Sequence, residues 1–162
     1  MGDERSTRQG GGLLNATFAG TGAIVATSVA AALAPDTFGL VHAVLAGVLF
    51  AVGTGGFLWA YALGVSRSRT DLVSIPGLFF LSGSVAPADV RRPFRVALAA
   101  QVVATVAAAA IRPYTEVAFG ILAPMSAMGL MATWGGRYGS FPPRPPKAAR
   151  AASARQADEV EP

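Results

Sequence analysis

Four long, mostly apolar runs, charged only at Arg95 and Glu116 near the starts of the last two, organise the chain, and none carries the polar face that a soluble helix needs. The first covers about residues 15–33, and at 1.5 Å rise per residue it reaches about 28 Å, close to the hydrocarbon thickness of a bilayer. The second, about 40–65, is the longest and can tilt to fit. Trp59 and Tyr61 stand near its far end, where amphipathic rings prefer the membrane interface. The third, about 94–111, is nearly all Ala and Val, and Arg95 can lengthen it by reaching out to the headgroups. The fourth, about 116–134, contains Pro124, which predicts a kink or a local break. Pro35-Asp36 ends the first run, and APDTFG predicts a short connection between antiparallel neighbours. The pattern predicts an all-α membrane protein: four transmembrane helices in an antiparallel bundle.

The stretch SRSRTDLVSIPGLFFLSGSVAPADVRRPFR (66–95) separates the second run from the third. Its apolar part is about ten residues long and is broken by Pro76-Gly77. As helix it reaches about 15 Å, half a bilayer, and as extended chain it leaves its backbone groups unsatisfied in lipid. Residues 72–86 are therefore predicted to form an interfacial or re-entrant segment that does not cross. The ends read as disordered tails, 1–12 from MGDERSTRQGGG and 139–162 from its Pro-, Ala- and Arg-rich composition, around a transmembrane domain at 13–138. PPRPP (142–146) reads as a stiff exit from the membrane surface in preference to a ligand for a proline-reading domain. MGDERS fits a myristoylation pattern by coincidence, and Pro35 after ALA blocks a signal-peptide cut, so the first run is a retained anchor.

Composition agrees with a membrane setting. The chain is 52% hydrophobic and 14% charged, against about 25% charged in an ordinary soluble domain. A net charge of +4 could point to nucleic acid, but the arginines lie at the ends of the apolar runs, where orientation in a membrane uses them. No nucleic-acid partner is expected. With four spans, both tails and the 66–95 loop share one side and hold all the basic residues except Arg112. That bias predicts a multi-pass protein of the cell inner (plasma) membrane with both termini cytoplasmic. The absence of cysteine excludes disulfides, thiol redox chemistry and iron–sulfur ligation.

Few residues suggest chemistry. Small proton-coupled multidrug exporters depend on a glutamate embedded in their first helix, and TFAGTGAIVATSVAAALA has no acid. His42 is the single histidine. With Asp36 nearby, and with Met125, Met128 and Met131 on one helical face, a copper or haem site is conceivable, but packing is the simpler reading. Arg112 and Glu116 are expected to form a solvated pair at a helix start, with Asp36 as the other candidate partner for Arg112. No nucleophile–base pair, metal cluster or phosphate loop is present, so no enzyme and no cofactor is expected.

Small residues recur at helical spacing: Gly22, Ala26 and Ala30; Ala100, Ala104 and Ala108; and the glycines 47, 53, 55, 56 and 64. Such ridges let helices approach closely, either within the bundle or between copies. Gln101 and Thr105 share a face and either bond across to Thr21, Thr27 or Thr54 or line a narrow polar path, with bonded packing the simpler reading. The candidate binding site is the 66–95 loop. Arg67, Arg69, Arg91, Arg92 and Arg95 would each gain about 1 kcal/mol near anionic lipid, while Leu78, Phe79, Phe80 and Leu81 insert. The expected partners are membrane lipids, anionic ones included, or a partner membrane protein.

FAVGTGGFLWAYALGVSRSRTD, GLFFLSGSVAP and IRPYTEVAFGILAPMSAMGLMATWGGRYGSFPPR, within about 40–144, resemble a family of small four-helix membrane proteins from high-GC Gram-positive bacteria with no assigned activity. The resemblance implies a bacterial inner-membrane location and nothing catalytic. The expected function is a non-enzymatic accessory or interaction subunit of a larger membrane complex. The alternative is a small oligomeric transporter or channel for an apolar or lipid-like substrate. A continuous polar cavity would favour transport; a dry core with an outward glycine ridge would favour partnering.

Overall fold

The computed structural model describes residues 10–145. It contains α1 (Gly11–Leu33), α2 (Pro35–Arg67), α3 (Ile75–Phe80), α4 (Ala88–Ile111), a 3₁₀ helix (Glu116–Leu122) and α5 (Pro124–Tyr138). α1, α2, α4 and the combined 3₁₀–α5 unit (Glu116–Tyr138) are each long and apolar enough to cross a membrane. The protein is an all-α, multi-pass membrane protein built as an antiparallel bundle. Residues 1–9 and 146–162, most of the two predicted tails, lie outside the described residues.

Helix ends differ from the sequence pattern in ways that backbone chemistry explains. Gly11 and Gly12, assigned by composition to the tail, already belong to α1. The predicted APDTFG connection shrinks to Ala34. Pro35 occupies the first helical position, where its fixed φ suits the helix and its missing N–H is not needed. The amides of Thr37 and Phe38 then bond to the Ala34 carbonyl at 3.2 and 3.0 Å. α4 starts at Ala88, earlier than its apolar run, and carries Pro93 inside its charged beginning. The break at Pro124 is where the sequence places it, but the preceding Glu116–Leu122 turns are 3₁₀ in form.

The 3₁₀–α5 span lies deepest, with 50% of its apolar window buried against 22–28% for the other spans. Glycine allows this. A Cβ on Gly53 would collide with the Met125 carbonyl, and one on Gly129 with the Gly53 carbonyl, so α2 and α5 touch backbone to backbone. A Cβ on Gly56 would meet the Gly129 oxygen at 3.0 Å. Lipid is as apolar as the helices, so this close packing and interhelical hydrogen bonds take over the role that water-driven burial has elsewhere.

One such bond set crosses the interior. Gln101 of α4 donates from Nε2 to Thr21 Oγ1 of α1 at 2.8 Å and accepts at Oε1 from Ser126 Oγ of α5 at 3.2 Å. Thr21 donates to the Thr17 carbonyl at 2.8 Å and Thr105 to the Gln101 carbonyl at 2.7 Å. The expected link from Gln101 to Thr21 is present. All these groups are buried.

At the end that carries Arg67 and Tyr138, the chain after α5 is ordered where disorder was predicted. Residues 139–145 run as a strap over the loop: Ser140 N bonds to Val85 O at 3.0 Å, Leu72 N to Pro142 O at 2.8 Å and Arg144 N to Thr70 O at 2.8 Å. Asp71 and Pro143 pair as an isolated antiparallel bridge. The prolines lack donors, but the carbonyl of Pro142 and the amide of Arg144 still pair with the loop.

Candidate interfacial site

The site is built where α2 ends. Arg67 lies on its last turn and ties several elements together. Its Nε is 3.4 Å from Asp71 Oδ2, its Nη1 donates to the Gly136 carbonyl at 3.0 Å, and its guanidinium covers the Phe141 ring at 5.2 Å. It thereby joins α2, the following turn, the end of α5 and the strap. Among the described residues Arg67–Asp71 is the one ion pair.

α3 follows from local signals. Ser74 caps it, its hydroxyl accepting from Gly77 N at 3.2 Å, and Pro76 stands in the first turn. Leu81 ends it in the left-handed region at φ 51°. A leucine in that conformation costs about 1–2 kcal/mol. Full burial of its side chain offsets that cost. Arginines of α4 then cap the exposed carbonyls. Arg95 donates from Nε and Nη2 to Phe80 O at 3.2 and 2.9 Å, and Arg91 from Nη1 to Gly83 O at 2.7 Å.

The placement of the predicted site residues departs from the sequence reading. Leu78 and Phe79 were expected to enter lipid, with Phe80 and Leu81, but Leu78, Phe79 and Leu81 are buried in protein and Phe80 alone faces out. Phe79 stacks on Phe57 with centroids 4.4 Å apart, and the two pack with Ala60 and Ala132. Gly64 and Gly135 leave room that Leu78 and Leu81 fill. α3 is therefore a plug for the end of the bundle. Arg67, Arg91 and Arg95 hold backbone carbonyls. Arg69 and Arg92 are exposed and have no side-chain partner among the described residues. On the flank of α3, a crevice of about 180 Å³ opens against the last turns of α2.

At the opposite end the expected ion pair is absent. Arg112 Nε donates to the Ala32 carbonyl at 3.3 Å, closing the end of α1, while the Glu116 carboxylate lies over Gly39. His42 is fully buried, with Nδ1 3.1 Å from Thr27 Oγ1. The Thr27 hydroxyl is directed at the Ala23 and Ile24 carbonyls, at 3.0 and 3.2 Å, so it accepts from Nδ1–H. Nε2 packs on Gly120, where a Cβ would collide with it. Nε2 has no hydrogen-bond partner among the described residues. Met131 is in the core beside Trp134.

Sequence reasoning missed the strap, the threefold role of Arg67 and the inward use of Gly53, Gly56 and Gly64. The spacing of those glycines shows a crowded helix but not which of them face in. Gly22, Gly47 and Gly55 face outward, with open space where a Cβ would stand. Comparison with known proteins finds no matching family, no matching curated protein and no matching solved structure.

Proposed function

We propose that this chain is a non-enzymatic interaction subunit that docks another membrane-embedded helix, with both termini on the cytoplasmic side of a bacterial plasma membrane. One observation carries the reading: small residues face outward along α2 at Gly47, Ala51 and Gly55. Nothing stands within 4 Å of a Cβ placed on Gly47 or Gly55, and Ala51 is exposed. These positions are spaced four apart, which lines them up on one face. Such a face lets a second helix approach closely in lipid. Gln101, Thr21 and Ser126 bond to one another across the interior, which supports a packed core in preference to a polar path. The arginine distribution supports the orientation.

The test is Gly47→Leu with Gly55→Leu, followed by crosslinking in native membranes and identification of the captured chains. A Cβ at either position enters open space, so both variants are expected to fold. Loss of a specific crosslinked species supports docking at this face. An unchanged crosslinking pattern overturns it.

A further inference from the structure

We infer that the crevice between α2 and α3 seats a membrane phospholipid with an anionic headgroup, its acyl chain in the slot and its headgroup on Arg69 and Arg144. The slot is apolar on both sides. Tyr61, Gly64 and Val65 line it from α2, and Val73, Ile75 and Leu78 from the segment that follows. Its volume of about 180 Å³ exceeds the ~150 Å³ at which an apolar cavity takes up benzene. Leu78 fills the space over Gly64, and the slot stays open beside it because α3, only six residues long, ends before it can cover the flank of α2. Its walls stay open to the surroundings: Tyr61, Val65 and Ile75 are exposed, Ile75 by 73%. In a membrane such a surface is covered by a lipid chain.

The mouth of the slot carries charge. Arg69 stands in the turn that joins its two walls, between Ser68 and Val73. Asp71, the acid of that turn, is engaged with Arg67. The strap then brings a residue far off in sequence to the same place, because Arg144 N donates to Thr70 O at 2.8 Å. Arg69 and Arg144 are both exposed, and neither guanidinium has a partner among the described residues. Two uncompensated positive charges over an apolar slot match one negative headgroup and one chain. The level is right as well, since Trp59 and Tyr61 on α2 are exposed in the way interface rings are. This seat keeps Arg69 and Leu78 of the site the sequence suggested and exchanges Arg91 and Arg95, which are bound to the loop's carbonyls, for Arg144. It also stands independently of the α2 face proposed above, which the variants below leave untouched.

The experiment is native mass spectrometry of the full chain released from vesicles of phosphatidylglycerol and phosphatidylcholine in equal amounts. Arg69→Gln with Arg144→Gln is expected to lower the preference for the anionic lipid about fivefold per arginine. A charge-matched control, Arg92→Gln with Arg137→Gln, is expected to keep it. Ile75→Trp, at an exposed position, fills the slot and is expected to reduce retention of both lipids. Loss in the first variant with retention in the control, together with loss in Ile75→Trp, supports the seat. An unchanged preference in the first variant, an equal loss in the control, or full retention in Ile75→Trp overturns it. A dimer that dissociates in the first variant with no change in lipid would assign the slot to a second copy, and also overturns it.

Discussion

Gly129 and Gln101 hold the interior in different ways, and their replacement separates packing from hydrogen bonding. A methyl at Gly129 is driven into the Gly53 carbonyl on the facing helix, so α2 and α5 must move apart. Overpacking of this kind costs about 1–3 kcal/mol, with no flexible side chain to absorb the strain. Gln101→Leu removes bonds to Thr21 and Ser126, but the Thr21 hydroxyl keeps its bond to Thr17. Interhelical bonds in membrane proteins average about 0.6 kcal/mol and reach about 1.7. Gly129→Ala is therefore expected to destabilise more than Gln101→Leu, measured as unfolding free energy by steric trapping in bicelles. The reverse order would mean that polar bonds, not backbone contact, hold the bundle.

Among the elements, the strap at 139–145 and the plug α3 depend on each other. Phe141 lies under the Arg67 guanidinium and packs against residues of both clusters that surround α3. Phe141→Ala is expected to speed amide hydrogen exchange at Leu72 and Arg144, whose bonds join strap and loop, while α1 is unaffected. Unchanged exchange there would show that the backbone pairing holds without the ring. This region also marks where sequence reasoning stopped. Run lengths and Pro35 and Pro124 revealed the spans, because a membrane imposes a length and proline a boundary. The Leu78–Phe79 pair read as lipid-facing, because apolarity is the same signal for lipid and for protein core. The strap was hidden because its Pro-rich composition matches unstructured chain, and its partners at Thr70 and Val85 lie more than fifty residues away.

On the scale of the whole molecule, the fold places the starts of α1 and α4 and the ends of α2 and α5 together. All described arginines except Arg112 lie at that end. A reporter at each terminus is therefore expected to report the same compartment, the cytoplasm. Signals from opposite compartments would remove the orientation, and the lipid proposal with it.

Ala34 has a mechanical corollary. With one residue between them, α1 and α2 start level at one face of the bilayer, yet they have 23 and 33 residues. At 1.5 Å per residue the longer rod overshoots by about 15 Å. Hiding that excess by leaning alone would take about 45°, past the 0–40° at which such helices are found. A lean near the upper end of that range takes up most of the excess and leaves the end of α2 at the headgroup level, where α3 and the strap lean on it. A water-borne visitor on that side meets α3 and the strap; on the opposite side, among the described residues, it finds the short connections at Ala34 and Arg112.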